Sequence, residues 1–116
     1  MPNKKRTFLI TGATKGIGRA TAEILSVQGH QVIGIARNQA DFPGILYEAD
    51  LVDESTTVDV FNRIHQEYQI DGIINNAGIV IPEALESVNL DHFKYVIHLN
   101  LIPALQAMQI FYERYD

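Results

Sequence analysis

Between a β-favouring run, Thr7 to Ile10, and a helical pattern that begins at Ile17 lies the turn Thr11-Gly12-Ala13-Thr14-Lys15-Gly16-Ile17-Gly18. Glycines let a backbone turn tightly and come close to an anion, while the N-terminus of the following helix offers N–H groups and a partial positive charge. The chemistry expected of this turn is phosphate binding. Its glycines are separated by three residues and then by one. That is neither the G-x-G-x-x-G of most dinucleotide folds nor a P-loop, since no Gly-Lys-Ser or Gly-Lys-Thr follows. Arg37 comes just after a second strand-like run and has no acid beside it. A carboxylate there would accept hydrogen bonds from a ribose 2′-hydroxyl and repel a 2′-phosphate, so a cation points to NADP(H) as the cofactor. Lys15, inside the turn, is placed to approach the same phosphate. The competing reading of Lys15 and Arg37 is solvated surface charge, which contributes little.

Other chemistries are excluded by what the chain lacks. It has no cysteine, which removes disulfides, zinc knuckles and thiol nucleophiles and fits a reducing compartment, so a cytoplasmic location is expected. His30, His65, His92 and His98 show no metal-ligand spacing with acidic partners; they read as surface or edge residues, and no metal site is expected. The net charge is −5 over 116 residues, which gives no attraction to nucleic acid. Lys4, Lys5 and Arg6 are followed by only a short apolar stretch, Phe8 to Ile10, so no signal peptide is read there. The longest chargeless run, Tyr95 to Tyr112, holds His98, Asn100, Pro103, Gln106 and Gln109, and reads as a buried helix rather than a membrane span.

The elements that must position these residues follow from periodicity. After the first strand, Ile17, Ala20, Ile24 and Leu25 repeat at helical spacing up to Gly29. Gln31 to Ala36 and Ile45 to Ala49 read as second and third strands, with a gap, Arg37 to Gly44, too short for a full crossover helix. Asp53 is placed to cap a helix carrying Val58, Phe61, Ile64 and Tyr68 on one face, and Ile70 to Asn75 reads as a fourth strand. Asn76 to Asn89 reads as a loop with Gly78 and Pro82. From Asp91, Phe93, Val96, Ile97, Leu101, Ala104, Leu105, Met108 and Phe111 repeat at three and four, in a helix expected to kink between Leu99 and Pro103. The expected fold is α/β: the first half of a Rossmann-like, doubly wound parallel sheet of order 3-2-1-4. The first helix belongs on one face and the two later helices on the other.

Four features together carry a resemblance to a known family. The turn reads T-G-x-x-x-G-x-G at Thr11, Gly12, Gly16 and Gly18; Asn75-Asn76-Ala77-Gly78 follows the fourth strand; Asp50 follows the third; and Asn100-Leu101 stands in the last helix. In these respects the chain resembles the N-terminal half of the short-chain dehydrogenase/reductases over residues 6 to 112. The resemblance implies one NADP-binding domain over residues 1–116 and a carbonyl-reducing or alcohol-oxidising oxidoreductase. Cofactor contacts are implied from Thr11, Gly12, Thr14, Lys15, Gly16, Ile17, Gly18, Arg37, Asp50, Leu51, Asn76, Ala77 and Gly78. Asp50 would lie near the adenine ring, Asn75 would fix neighbouring strands, and the loop after it would border the nicotinamide.

Asn100 is the one member of the family's catalytic set of Asn, Ser, Tyr and Lys found in the chain, and the resemblance gives it the task of bending its helix and aiming a backbone carbonyl at a relay water. Its bland reading is a helix-bending residue and no more. The family's Tyr-x-x-x-Lys is missing: four residues after Tyr47, Tyr68, Tyr95 and Tyr112 come Leu51, Gly72, Leu99 and Asp116. The chain also stops at Tyr115-Asp116 without a helix stop signal, which suits a truncated form that is inactive alone. A small carbonyl or alcohol substrate is therefore expected only with the missing half present; a 3-oxoacyl thioester, a sugar, a steroid and a small ketone all remain open. The rival reading is a catalytically silent dinucleotide-binding or assembly module. In either case the edge at Ile70 to Asn75 and the stripe through Val96, Leu101, Leu105 and Met108 imply a homo-oligomer or a pairing with a second chain.

Overall fold

The computed structural model describes residues 4–78 and 83–115. Pro82, assigned above to the loop after the fourth strand, lies outside them, as does Asp116. The elements run β1 (Thr7–Thr11), α1 (Gly16–Val27), β2 (Gln31–Ala36), β3 (Ile45–Glu48), α2 (Glu54–Glu67), β4 (Gly72–Ile74), a short 3-10 turn (Leu85–Ser87) and α3 (Leu90–Tyr115). All strand pairs are parallel and the order is β3-β2-β1-β4, as the sequence implied.

Strand residues alternate between two cores. Leu9, Ile33 and Ile35 face α2 and α3, where they pack with Val60, Phe61, Ile64 and Ala107. Ile10 and Val32 face the other way and pack with Ala22 and Leu25 of α1 and with Phe42. Each fully buried Leu, Ile or Phe stabilises this arrangement by about 1.5 to 3 kcal/mol.

The buried faces of the helices differ from the apolar periodicity. On α1, Gly18 and Ala22 are buried and Leu25 is half-buried, whereas Ala20, Ile24 and Ile17 point outward. The reason is close approach: a Cβ on Gly18 would sit 2.3 Å from the Gly12 carbonyl oxygen, so the helix turns its smallest residues to the sheet. On α2 the buried face is Thr57, Val60, Phe61, Ile64 and His65, with Val58 only half-buried. Thr57 can be buried because its hydroxyl donates to the carbonyls of Asp53 and Leu51, at 2.8 and 3.2 Å. Asp53 stands at the N-cap of α2 but makes no side-chain bond to the helix N–H groups; its carboxylate accepts the Thr56 hydroxyl instead, which holds its pKa below the usual carboxylate value.

Turn chemistry accounts for the remaining boundaries. Gly29, at φ +90, ends α1 with two bonds, its own N–H to the Ser26 carbonyl and that of His30 to Leu25, which is a Schellman motif. Residues 37–44 contain no helix. Phe42 covers the sheet instead, over Gly34, where a Cβ would come within 2.7 Å of its ring. Asn89 caps α3 by accepting the His92 N–H at 3.1 Å, and Glu83 in turn accepts the Asn89 N–H. α3 continues through Pro103, which is buried.

Candidate functional site

Because all four strands are parallel, their C-terminal ends meet at one edge of the sheet, and a cavity of about 540 Å³ lies there. The end of β1 contributes Gly12, Thr14, Lys15 and Gly16; β2 contributes Ile35 to Ala40; β3 contributes Ala49 to Leu51; β4 contributes Asn76 to Gly78; and α3 adds Tyr95 and Leu99.

Hydrogen bonds lock the two motifs at this edge together. The Thr11 hydroxyl oxygen accepts the N–H groups of Asn76 and Ala77, at 3.0 and 2.9 Å, and the Asn76 amide donates to the Gly12 carbonyl at 3.0 Å. Gly12 N–H also reaches the Ile35 carbonyl at 3.0 Å, which ties the turn to β2. A Cβ at position 18 would strike both Gly12 O and the Asn76 amide nitrogen, at 2.3 and 2.5 Å. Gly12 and Gly16 take the left-handed conformation, with φ of +63 and +54, and nothing lies within 4 Å of where a Gly16 Cβ would stand.

The electrostatics of the turn suit an anion. α1 begins at Gly16 with no side-chain cap and no acidic residue in its first turn, so its N–H groups and positive dipole end are not neutralised by its own side chains. Lys15 and Arg37 are exposed and both line the cavity, whose only lining carboxylate among the described residues is Asp50. Asp50 accepts the Val52 N–H at 3.1 Å as the chain turns toward α2. Arg19 is engaged elsewhere: it pairs with Glu23 at 2.7 Å and donates to the Asp41 carbonyl, holding the 37–44 loop to α1. These donors and the open space at Gly16 fit the pyrophosphate of a dinucleotide.

Of the residues singled out in the sequence, Gly12, Thr14, Lys15, Gly16, Arg37, Asp50, Leu51, Asn76, Ala77 and Gly78 line the cavity. Thr11, Ile17, Gly18 and Asn100 are not among its lining. Thr11 and Gly18 are buried beneath the turn and shape it, and Ile17 is 77% exposed. Asn100 stands behind the loop after β4, where a Cβ on Gly78 would come within 2.4 Å of its Oδ1. The strand-fixing role expected of Asn75 falls to Asn76; Asn75 is exposed. Sequence reasoning missed Asn38, Gln39 and Ala40 beside Arg37, and Tyr95 and Leu99 on α3. The last two stand four residues apart, a helical spacing that could have placed them on one wall.

Two further titratable groups are shifted by their surroundings. His65 is buried between α2 and α3 with its ring edge-on to Phe111, not at the surface, because it lies on the inner stripe of α2. Burial, and then the nearby Arg114 charge, hold its pKa below the ordinary imidazole value. Tyr47, on β3, donates to Glu67 at 2.8 Å; burial and that carboxylate push its pKa above the ordinary phenol value, away from what a general base needs. Among the described residues no three His, Asp or Glu side chains gather as a metal site, and no helix is long and apolar enough to cross a membrane.

Comparisons with known proteins agree with this architecture. Dehydrogenase/reductase SDR family member 11 of Homo sapiens is 33% identical over 114 residues, which cover 85% of this chain and 44% of that protein. The ligand-free aldohexose dehydrogenase of Thermoplasma acidophilum superposes with a TM-score of 0.88 at 26% identity, over 96% of this chain and 44% of that one. NADH-dependent reductase A1-R′, solved in complex with NAD, gives 0.82 at 27% identity, over 94% of this chain and 51% of that one. The chain thus spans about half the length of these relatives. The sequence model of the family described as short chain dehydrogenase matches residues 6–116. Since that match runs over nearly the whole chain, the chain belongs to the short chain dehydrogenase family.

Proposed function

We propose that residues 1–116 form the NADP(H)-binding domain of a cytoplasmic oxidoreductase that interconverts carbonyls and alcohols. The observation that carries the cofactor choice is the charge at the cavity: Lys15 and Arg37 line it together, and no carboxylate stands at the end of β2. A 2′-phosphate would meet two cations there, and charge-assisted bonds of this kind are worth about 1.5 to 3 kcal/mol. The names of the relatives, a dehydrogenase/reductase, an aldohexose dehydrogenase and an NADH-dependent reductase, support the reaction class. Bound in this cavity, the cofactor supplies or accepts the hydride.

The residues of this chain bind and orient. The first-turn N–H groups of α1 hold the pyrophosphate, with Gly16 leaving room for it. Asn76, Ala77 and Gly78 border the nicotinamide, and Asn100 sets the bend of α3 beside them. The proton step needs a phenol tuned toward neutral pH by a nearby cation, and no Tyr-x-x-x-Lys occurs in these 116 residues. The chain by itself therefore binds cofactor without turning over, and the substrate, a small carbonyl or alcohol such as a 3-oxoacyl thioester, is chosen by residues outside it. The same absence, together with the bare outer face of α3, supports the alternative of a silent dinucleotide-binding or assembly module. Sequencing the reading frame past Asp116 separates the two: a fifth strand, a Ser and a Tyr-x-x-x-Lys establish the enzyme.

The cofactor reading is tested by calorimetry with adenosine 2′,5′-bisphosphate and adenosine 5′-monophosphate on the wild type and Arg37→Ala. The expected result is a preference for the bisphosphate of about tenfold to a hundredfold that Arg37→Ala largely removes. Equal affinities in both proteins would sink it.

A further inference from the structure

We infer that Tyr95 is the wall on which the purine of the dinucleotide stacks, and so a residue that determines specificity for the base. This rests on the dinucleotide reading above. With Lys15 and Arg37 as the 2′-phosphate site, the base is bonded to the neighbouring carbon of the same ribose and must lie within one ring of the end of β2. The cavity is lined by Leu51, Leu99 and Tyr95 among its larger side chains, and Tyr95 is the only aromatic residue in its lining among the described residues.

The helix gives Tyr95 its position. Leu99 packs against the core that α3 shares with α2, and Tyr95, half-buried, lies one turn earlier on the same face and lines the cavity with it. The platform is anchored at both ends, by Asn89 and Glu83 before it and by Ala107 and Phe111 packed on the α2 side after it. Asp50, exposed and also in the lining, offers an acceptor to an exocyclic amine at the edge of the base. An offset or edge-on phenol ring is the surface that a purine face prefers.

The test is calorimetry on the intact chain, with wild type, Tyr95→Phe and Tyr95→Ala, using adenosine 2′,5′-bisphosphate and the same ribose bisphosphate without a base. Circular dichroism checks that α3 stays folded. Tyr95→Ala is expected to weaken the adenosine probe by roughly tenfold to a hundredfold and to leave the base-free probe within about twofold, while Tyr95→Phe keeps the wild-type affinities. If Tyr95→Ala binds the adenosine probe as well as wild type does, or loses both probes equally, or if Tyr95→Phe loses as much as Tyr95→Ala, the stacking role is overturned while the cofactor reading stands. Failure of the wild type to bind either probe overturns the cofactor reading and this inference with it.

Discussion

At the C-terminal edge of the sheet, each residue that turns the chain is held by another one within this stretch: Thr11 by the loop after β4, Asn76 by the Gly12 carbonyl, the turn by the Ile35 carbonyl. Along the outside of α3, Leu90, Phe93, Ile97, Leu101, Leu105, Met108 and Tyr112 repeat at three and four and are all between 44 and 66% exposed. The first region is closed by local hydrogen bonds and packs to backbone distance. The second is an apolar stripe of seven large side chains left exposed among the described residues. The contrast separates an edge of the sheet that is fixed by bonds among the described residues from a helix face that is left bare by them.

The strongest attack on the closed region is Gly18→Val. Its new side chain would enter the space of the Gly12 carbonyl and the Asn76 amide, both part of the lock, and backbone cannot yield as a flexible side chain does. Overpacking of this kind costs about 1 to 3 kcal/mol where neighbours can give and more where they cannot, so the upper end or beyond is expected here. Thermal melting and dinucleotide titration should fail together. A variant that melts normally and still binds would show that the lock is dispensable.

Next in size is Thr11→Val, which keeps the shape and deletes the acceptor. Two part-buried N–H groups, of Asn76 and Ala77, then lose their partner, at no more than about 1 to 3 kcal/mol each before water or a shifted loop compensates. Thr11→Ser should restore most of the loss in urea titrations, since the oxygen is what matters. Equal losses in Val and Ser variants would assign the effect to packing and sharpen the comparison in the other direction.

On the open stripe the same kind of change should act on association alone. We propose that the chain pairs with a second copy or another chain through α3, and Leu105→Glu then removes about 1.5 to 3 kcal/mol from that pairing while leaving monomer stability nearly untouched. Light scattering across a concentration series reads the first and circular dichroism the second. A wild type that stays monomeric at high concentration would break the proposal.

The strand order and the glycine turn were legible because parallel β-α units and phosphate turns impose sequence patterns that do not depend on neighbours. The helix faces were not. Apolar periodicity pointed α1 at the sheet through Ala20 and Ile24, whereas close approach selected Gly18 and Ala22; Val96 was read into the exposed stripe and is half-buried, with Ile97 and Phe93 in its place. Gly44 stands in the sequence only as the end of the gap before the third strand, yet a Cβ there would stand 2.2 Å from the Val32 carbonyl oxygen. Tyr95 carries no motif, and its place in the cavity depends on where α3 lands. What the sequence hid in each case was a distance between elements.

The inner side of α3 supplies the smallest expected effect, because there the helix meets α2 across a titratable group. His65 is buried against Phe111 and its folded pKa lies below the ordinary 6.5, first through burial and then through Arg114. Above about pH 6.5 both folded and unfolded chains carry a neutral imidazole, so this contribution to stability is fully present. As pH falls below that value the unfolded chain takes up a proton that the folded chain resists, and stability drops until the folded pKa is reached, by at most about 1.4 kcal/mol per pH unit for one proton. Urea midpoints of wild type should therefore decline from pH 6.5 toward about pH 5, where carboxylates with ordinary pKa values remain largely ionised. His65→Leu should flatten the decline. Such a result would show that the inner face of α3 is held by burial of a neutral ring, in contrast to its bare outer face. An unchanged slope in His65→Leu would mean that the acid sensitivity of the chain arises elsewhere, and that the two faces of α3 are less different than their burial implies.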